Sequence, residues 1–210
     1  MLSRTASRTA SRTTSCTESR TARRPGRALV AALPVLLLPL LPGCAQMQTA
    51  YQSAVDWVSG SGPSAVAALS PTQGNSAAGT VRFTQKGTKV AVVADLHGLP
   101  PGAEFGFHVH EKGDCSAPDA SSAGGHFNPS GKPHGMHTQP ERHAGDMPNL
   151  KSDAQGNAHA EWDSDLLAVG SGTGDVVGRA VVVHRNADDY HSQPAGNSGP
   201  RIACGVIKAS

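Results

Sequence analysis

The sequence predicts an all-β fold, an antiparallel β-sandwich or flattened barrel with long loops. After about Ala78 the pattern shortens to period two, short strand-like runs recur between clusters of turn residues, and no later stretch keeps a helical period. Aromatics are only 4% of the chain against 24 glycines, so the core must be built from Val, Ala, Leu and Ile, and the loops must be long. One domain of moderate size fits this composition.

TVRFTQKGTKVAVVADL, residues 80–96, reads as a hairpin turning at Lys86-Gly87, and EFGFHVH, residues 104–110, as a third strand. Residues 111–148 are dense in Gly, Pro, His and Asp and carry no strand signal. A loop of that length inside a compact domain is normally functional or disordered, and its histidines favour function. Short strands resume at residues 149–152, 157–162 and 179–184; a second loop, 185–200, leads to a last strand at 201–207.

The first 43 residues read as an export signal. Seven arginines against one acid, Glu18, precede an apolar run over residues 28–41 that is too short and too proline-rich for a membrane span. The run ends in Leu41-Pro42-Gly43-Cys44, small residues before a cysteine as in a bacterial lipobox. Cys44 is therefore the expected lipidated end of an exported protein of the periplasm or cell envelope, anchored to a membrane by that lipid. Residues 44–78, rich in Ser, Ala and Gly, read as a flexible tether, and the domain is expected over 79–210. Removing residues 1–43 leaves 11 Lys+Arg against 15 Asp+Glu, a net charge of −4 where the whole chain has +2. A nucleic-acid partner is not implied by that balance.

Of the four cysteines, Cys16 lies in the signal and Cys44 at its end, which leaves Cys115 and Cys204. In an oxidising compartment they are expected to pair; two free thiols or thiolate metal ligands are the alternatives.

His108 and His110 form a His-x-His pair on a predicted strand, where residues two apart share a face and can approach one ion. His126, His134, His143 and Asp146 follow in the loop, and His184 on a later strand. Imidazoles with one carboxylate suit zinc or copper rather than softer metals. Seven donors exceed one first-row ion but fall one short of two four-coordinate ions, a shortfall resolved if one imidazole uses both nitrogens.

GFHVHEKGDC, AGGHFNP, KPHG, ERHAGDMPNL, VVVHRNADD and GPRIACGVI, in this order, resemble the copper,zinc superoxide dismutases of the bacterial exported type, over about residues 79–208. The resemblance implies a Greek-key, immunoglobulin-like β-sandwich, copper on His108, His110, His126 and His184, and zinc on His126, His134, His143 and Asp146. His126 would be the bridging imidazolate. It also implies that Arg201 holds the superoxide anion beside copper and that Asp188 joins a copper ligand to a zinc ligand, here His108 and His134. The implied reaction converts superoxide to dioxygen and hydrogen peroxide by copper cycling, protecting the cell envelope. Family members include monomers and dimers, so a homodimer is compatible. A copper-storage module would need neither Arg201 nor the zinc-side residues, and a zinc-only module would leave His108, His110 and His184 without purpose. Lys132, then Lys112, are the candidate steering cations.

Overall fold

The computed structural model describes residues 62–210. The expected signal, Cys44 and the first part of the expected tether lie outside the described residues. Nine strands are formed among the described residues: β1 (Ser64–Pro71), β2 (Ala78–Lys86), β3 (Lys89–His97), β4 (Glu104–Phe105), β5 (Phe107–His110), β6 (Leu150–Lys151), β7 (Ala158–Ser164), β8 (Ala180–His184) and β9 (Arg201–Ala209). A single 3-10 turn, Ser121–Ala123, is the only helical element among the described residues. Seven strands make one antiparallel sheet in the order β5-β8-β9-β1-β2-β3-β7, while β4 and β6 pair separately. After the β1-β2-β3 meander the chain crosses from β3 to β5 at the far edge, returns to β7 beside β3, and crosses again to β8. Such crossings are Greek-key connections, and they leave the long loops at the sheet's ends.

β1 corrects the expected tether: Ser64–Pro71 pairs with both β2 and β9 and is a central strand. Its inward residues are Ala65, Ala67 and Leu69, and its outward ones include Val66 and Ala68. Alanine and valine on both faces give too little contrast for a period-two signal, so only the pairing reveals the strand. The expected third strand is also split. Gly106 leaves the ladder to donate to Asn186 O at 2.7 Å, and a Cβ there would stand 2.4 Å from Ser198 Oγ.

The inner faces of both halves of the sheet close on one apolar core that includes Ala67, Phe83, Val92, Phe105, Phe107, Val109, Val181, Val183 and Ile207, which curls the sheet into a flattened half-barrel. Trp162 packs edge-on against Phe107, with ring centroids 5.9 Å apart. On β5, Phe107 and Val109 face this core, so alternation turns His108 and His110 to the outer face. That outer face is covered by the 111–148 loop, whose Ala120 and Ala123 pack on Ala180, Val182 and Cys204. The Cys115–Cys204 disulfide fastens loop to strand, as expected.

Candidate metal centre

The long loop is held to β5 by backbone ladders that bring its histidines and Asp146 into place. Phe127 N donates to Val109 O at 2.8 Å, Val109 N to Gly145 O at 3.0 Å, and Glu111 N to Gly125 O at 2.9 Å. Gly145 has no room for a side chain, since a Cβ would lie 2.2 Å from Val109 O. Single bridges set His126 opposite His110 and Asp146 opposite His108. His184 reaches the same face from β8, its N–H donating to Gly106 O at 2.8 Å.

Two buried donor groups result, His108, His110, His126 and His184 in one and His126, His134, His143 and Asp146 in the other, with the donor atoms of each within 4.8 Å of one another. His126 belongs to both. In the first group the outer nitrogens are occupied by protein. His108 Nε2 meets Asp188 Oδ2 at 2.8 Å, His110 Nδ1 meets Gly124 O at 2.9 Å, and His184 Nδ1 meets Gly199 O at 3.0 Å. Each of these contacts places a proton on the outer nitrogen and leaves the inner one as a lone pair. Of the inner nitrogens, His108 Nδ1 and His126 Nε2 are buried without any hydrogen-bond partner, while His110 Nε2 and His184 Nε2 have only each other, at 3.3 Å. Orphaned buried acceptors are costly unless a ligand satisfies them.

The second group converges on one oxygen. Asp146 Oδ1 lies 2.9 Å from His126 Nδ1, 3.0 Å from His134 Nδ1 and 3.2 Å from His143 Nδ1, and the two nitrogens of His126 and His143 stand 3.3 Å apart. Bonds of 2.0–2.1 Å to a tetrahedral ion demand ligand separations of about 3.3 Å, so the set is close to the size that zinc requires. Asp146 Oδ2 is turned away and accepts from the N–H groups of His143 at 2.9 Å and Gly135 at 3.1 Å. Asp188 joins the groups through Oδ1, 2.9 Å from His134 Nε2, and is itself aimed by Asn149, whose side chain bonds both the N–H and the C=O of Asp188 at 2.9 Å.

The electrostatics separate the two groups. Burial, reinforced by neighbouring imidazoles, lowers His108 to about 3 and His184 to about 4, and pushes His110 and His126 down as well, so these rings stay neutral. Burial opposes charge on His134 too, but contact with the Asp146 and Asp188 carboxylates outweighs it and raises that ring to about 9. Burial would raise Asp146, yet hydrogen bonds from His126, His134 and His143 hold it far below the carboxylate range. The second group therefore favours a cation, which the first accepts only as a metal on neutral donors.

Arg201 opens β9, and its guanidinium donates to Ala120 O and Gly124 O, each at 2.6 Å. It lines a cavity of about 340 Å³ with His110, His126, His184, Pro194 and Ala195. All seven predicted ligands, Asp188, Arg201 and the disulfide are thus brought together. Neither steering candidate is: Lys132 is paired with Glu141 at 2.7 Å, and Lys112 does not line the cavity. Asp189, read from sequence as a solvated acid, is exposed and in addition caps the 189–197 turn, accepting from His191 N, Ser192 N and Oγ, and Asn197 Nδ2. The carbonyls of Gly124 and Gly199 and the clip of Asn149 carried no signal in the sequence, because backbone groups and a lone amide have no distinguishing pattern.

An antiparallel sandwich with two buried donor sets sharing one imidazole, and a fixed guanidinium at the open side, defines a dinuclear metalloenzyme that acts on a small anion. The family model described as copper/zinc superoxide dismutase (SODC) matches residues 77–207, and the chain belongs to that family of oxidoreductases, whose cofactors are copper and zinc. It is 42% identical over 134 residues to superoxide dismutase [Cu-Zn] 2 of Aquifex aeolicus, covering 62% of this chain and 78% of the relative. It is 46% identical over 139 residues to the superoxide dismutase [Cu-Zn] of Cordyceps militaris, covering 62% and 88%. Among solved structures, the clock protein EA4 is similar with a TM-score of 0.64 and 41% identity, over 71% of this chain and 96% of that one.

Proposed function

We propose that the chain disproportionates superoxide to dioxygen and hydrogen peroxide, with copper held by His108 Nδ1, His110 Nε2, His126 Nε2 and His184 Nε2, and zinc by His126 Nδ1, His134 Nδ1, His143 Nδ1 and Asp146 Oδ1. The reading rests on His126, whose Nε2 is buried and unpartnered while its Nδ1 sits 2.9 Å from Asp146. Bound copper supplies a one-electron couple, and zinc a charge with no redox chemistry of its own. Arg201 stays charged at every working pH and, tethered by two carbonyls, presents its remaining edge to an anion in the cavity. His126 Nε2 is the atom that can hold a proton between the two half-reactions, because Nδ1 is committed to the Asp146 side. Two superoxide anions and two protons give one dioxygen and one peroxide.

The basic, then apolar, leader ending at Cys44 supports a lipid-anchored enzyme of the periplasm or cell envelope that protects it from superoxide, and a disulfide suits such a compartment. Metal analysis of the purified protein should find about one copper and one zinc per chain. Superoxide consumption should vanish in His108→Ala and fall in Arg201→Glu with metal retained; full loading without activity would overturn the assignment. Mass spectrometry of membrane-extracted protein should find a diacylated Cys44.

A further inference from the structure

We propose that Gln193 is a positioning residue for the zinc side of the centre, a clip that holds His134 and the wall of the substrate cavity together. The proposal rests on the assignment of His134 to zinc. His134 lies in a coil segment, and no backbone group among the described residues bonds to its N–H or C=O. Gln193 supplies both partners from 59 positions away. Its Oε1 accepts from His134 N–H at 2.8 Å, and its Nε2 donates to His134 O at 2.8 Å. At neutral pH, where carboxyl groups are ionised, a carboxamide is the one side-chain group type that can both donate and accept in this fork without a charge. The result mimics the two-bond pairing that a neighbouring strand residue would give.

The clip acts where ring placement matters most. His134 is fixed at both ring nitrogens, by Asp146 at 3.0 Å and Asp188 at 2.9 Å, but those carboxylates position the ring only if its own backbone is still. Gln193 itself is held by the turn capped by Asp189, in which Gly196 N donates to Ser192 O at 2.7 Å. The two residues after it, Pro194 and Ala195, line the cavity beside His126, His143 and Arg201. One side chain thus ties a zinc ligand to the wall past which the anion moves. An ordinary surface glutamine would bond only to its nearest loop or to water; here, beside a long 3.4 Å contact to His191 O, the two short bonds of 2.8 Å both fall on one residue, and that residue is the zinc ligand of the assignment above.

The test uses the intact copper- and zinc-loaded protein and two variants, Gln193→Ala and Gln193→Glu. Gln193 is exposed on a loop, so both should fold with the wild-type thermal transition in metal-free form. Zinc release to a colorimetric chelator should be about tenfold faster in Gln193→Ala, in line with the effect of removing a group that orients a metal ligand. Azide affinity at the copper side, read from its charge-transfer band, should shift by about threefold. Gln193→Glu supplies a discriminating pH profile. Its carboxylate accepts but cannot donate, so at pH 7.5 it should release zinc nearly as fast as the alanine variant. Once protonated below about pH 5 it can do both, and its release rate should return toward the wild-type value at the same pH. Zinc release at the wild-type rate in Gln193→Ala, or a Gln193→Glu to wild-type ratio that does not change with pH, would overturn the clip while leaving the centre intact. A wild-type protein that binds no zinc would overturn both.

Discussion

Reducing the Cys115–Cys204 disulfide should cost about as much stability as the largest single core truncations, and the cost can be worked from the chain. The bridge closes 89 residues, and the loop-entropy relation gives about 4.6 kcal/mol for a loop of that length. With a urea dependence of roughly 2 kcal/mol per molar, the midpoint should fall by about 2 M. The measurement belongs on metal-free protein followed by circular dichroism with and without reductant, because bound metal adds stability of its own. A loss below about 1 kcal/mol would refute the reasoning and show that the loop is held by its packing alone. A second consequence is functional. The segment beyond Cys115 carries Ala120 O and Gly124 O, the two acceptors that fix Arg201. Reduced, metal-loaded protein should therefore lose kcat/KM before it loses copper.

Three further outcomes follow from the geometry. In Gly196→Ala a Cβ would fall 1.7 Å from Asp188 Oδ1 and 2.8 Å from His134 Nε2, at a φ of +63° that disfavours any side chain, so metal affinity should drop by about 10- to 100-fold, measured by competition with a chelator. Because Lys132 is spent on Glu141 and Arg201 is the one Lys or Arg lining the cavity, kcat/KM should fall less than about threefold between 0.01 and 0.15 M salt; Glu141→Gln, which frees Lys132, should steepen that dependence. In metal-free protein the buried histidines lowered to about 3 and 4, His108 and His184, contribute stability that is full above their ordinary value of 6.5 and is lost as the pH falls through those values. His134 has the opposite sign: raised to about 9, its contribution is full below 6.5 and is lost as the pH rises through 9. Urea midpoints should therefore peak near pH 6 to 7; a continued rise to pH 9 would contradict the sign assigned to His134.

The candidate donor set was legible because histidine is a costly residue to bury and its spacing on a strand and in a loop is read directly from the residues. The β2-β3 hairpin was legible because Val81 and Phe83 alternate inward against Arg82 and Thr84, and Lys86-Gly87 marks the turn into the valine-rich β3. β1 was hidden by the lack of contrast between its alanines and valines, and the kink at Gly106 by depending on Ser198, some 90 positions away. The groups that aim the ligands were the least visible. Two are glycine carbonyls, and two are carboxamides, Asn149 and Gln193, whose partners are main-chain atoms in distant loops.

β5 is four residues long, and it gives Phe107 and Val109 to the core and His108 and His110 to the metal side. Sliding it by one position against β8 would put imidazoles into the apolar interior and aromatic surface into the loop. Misregistered chains are thus penalised by core desolvation before any metal is present, so metal delivery meets a population already sorted for correct pairing. Folding fidelity and redox competence are in this strand a single degree of freedom.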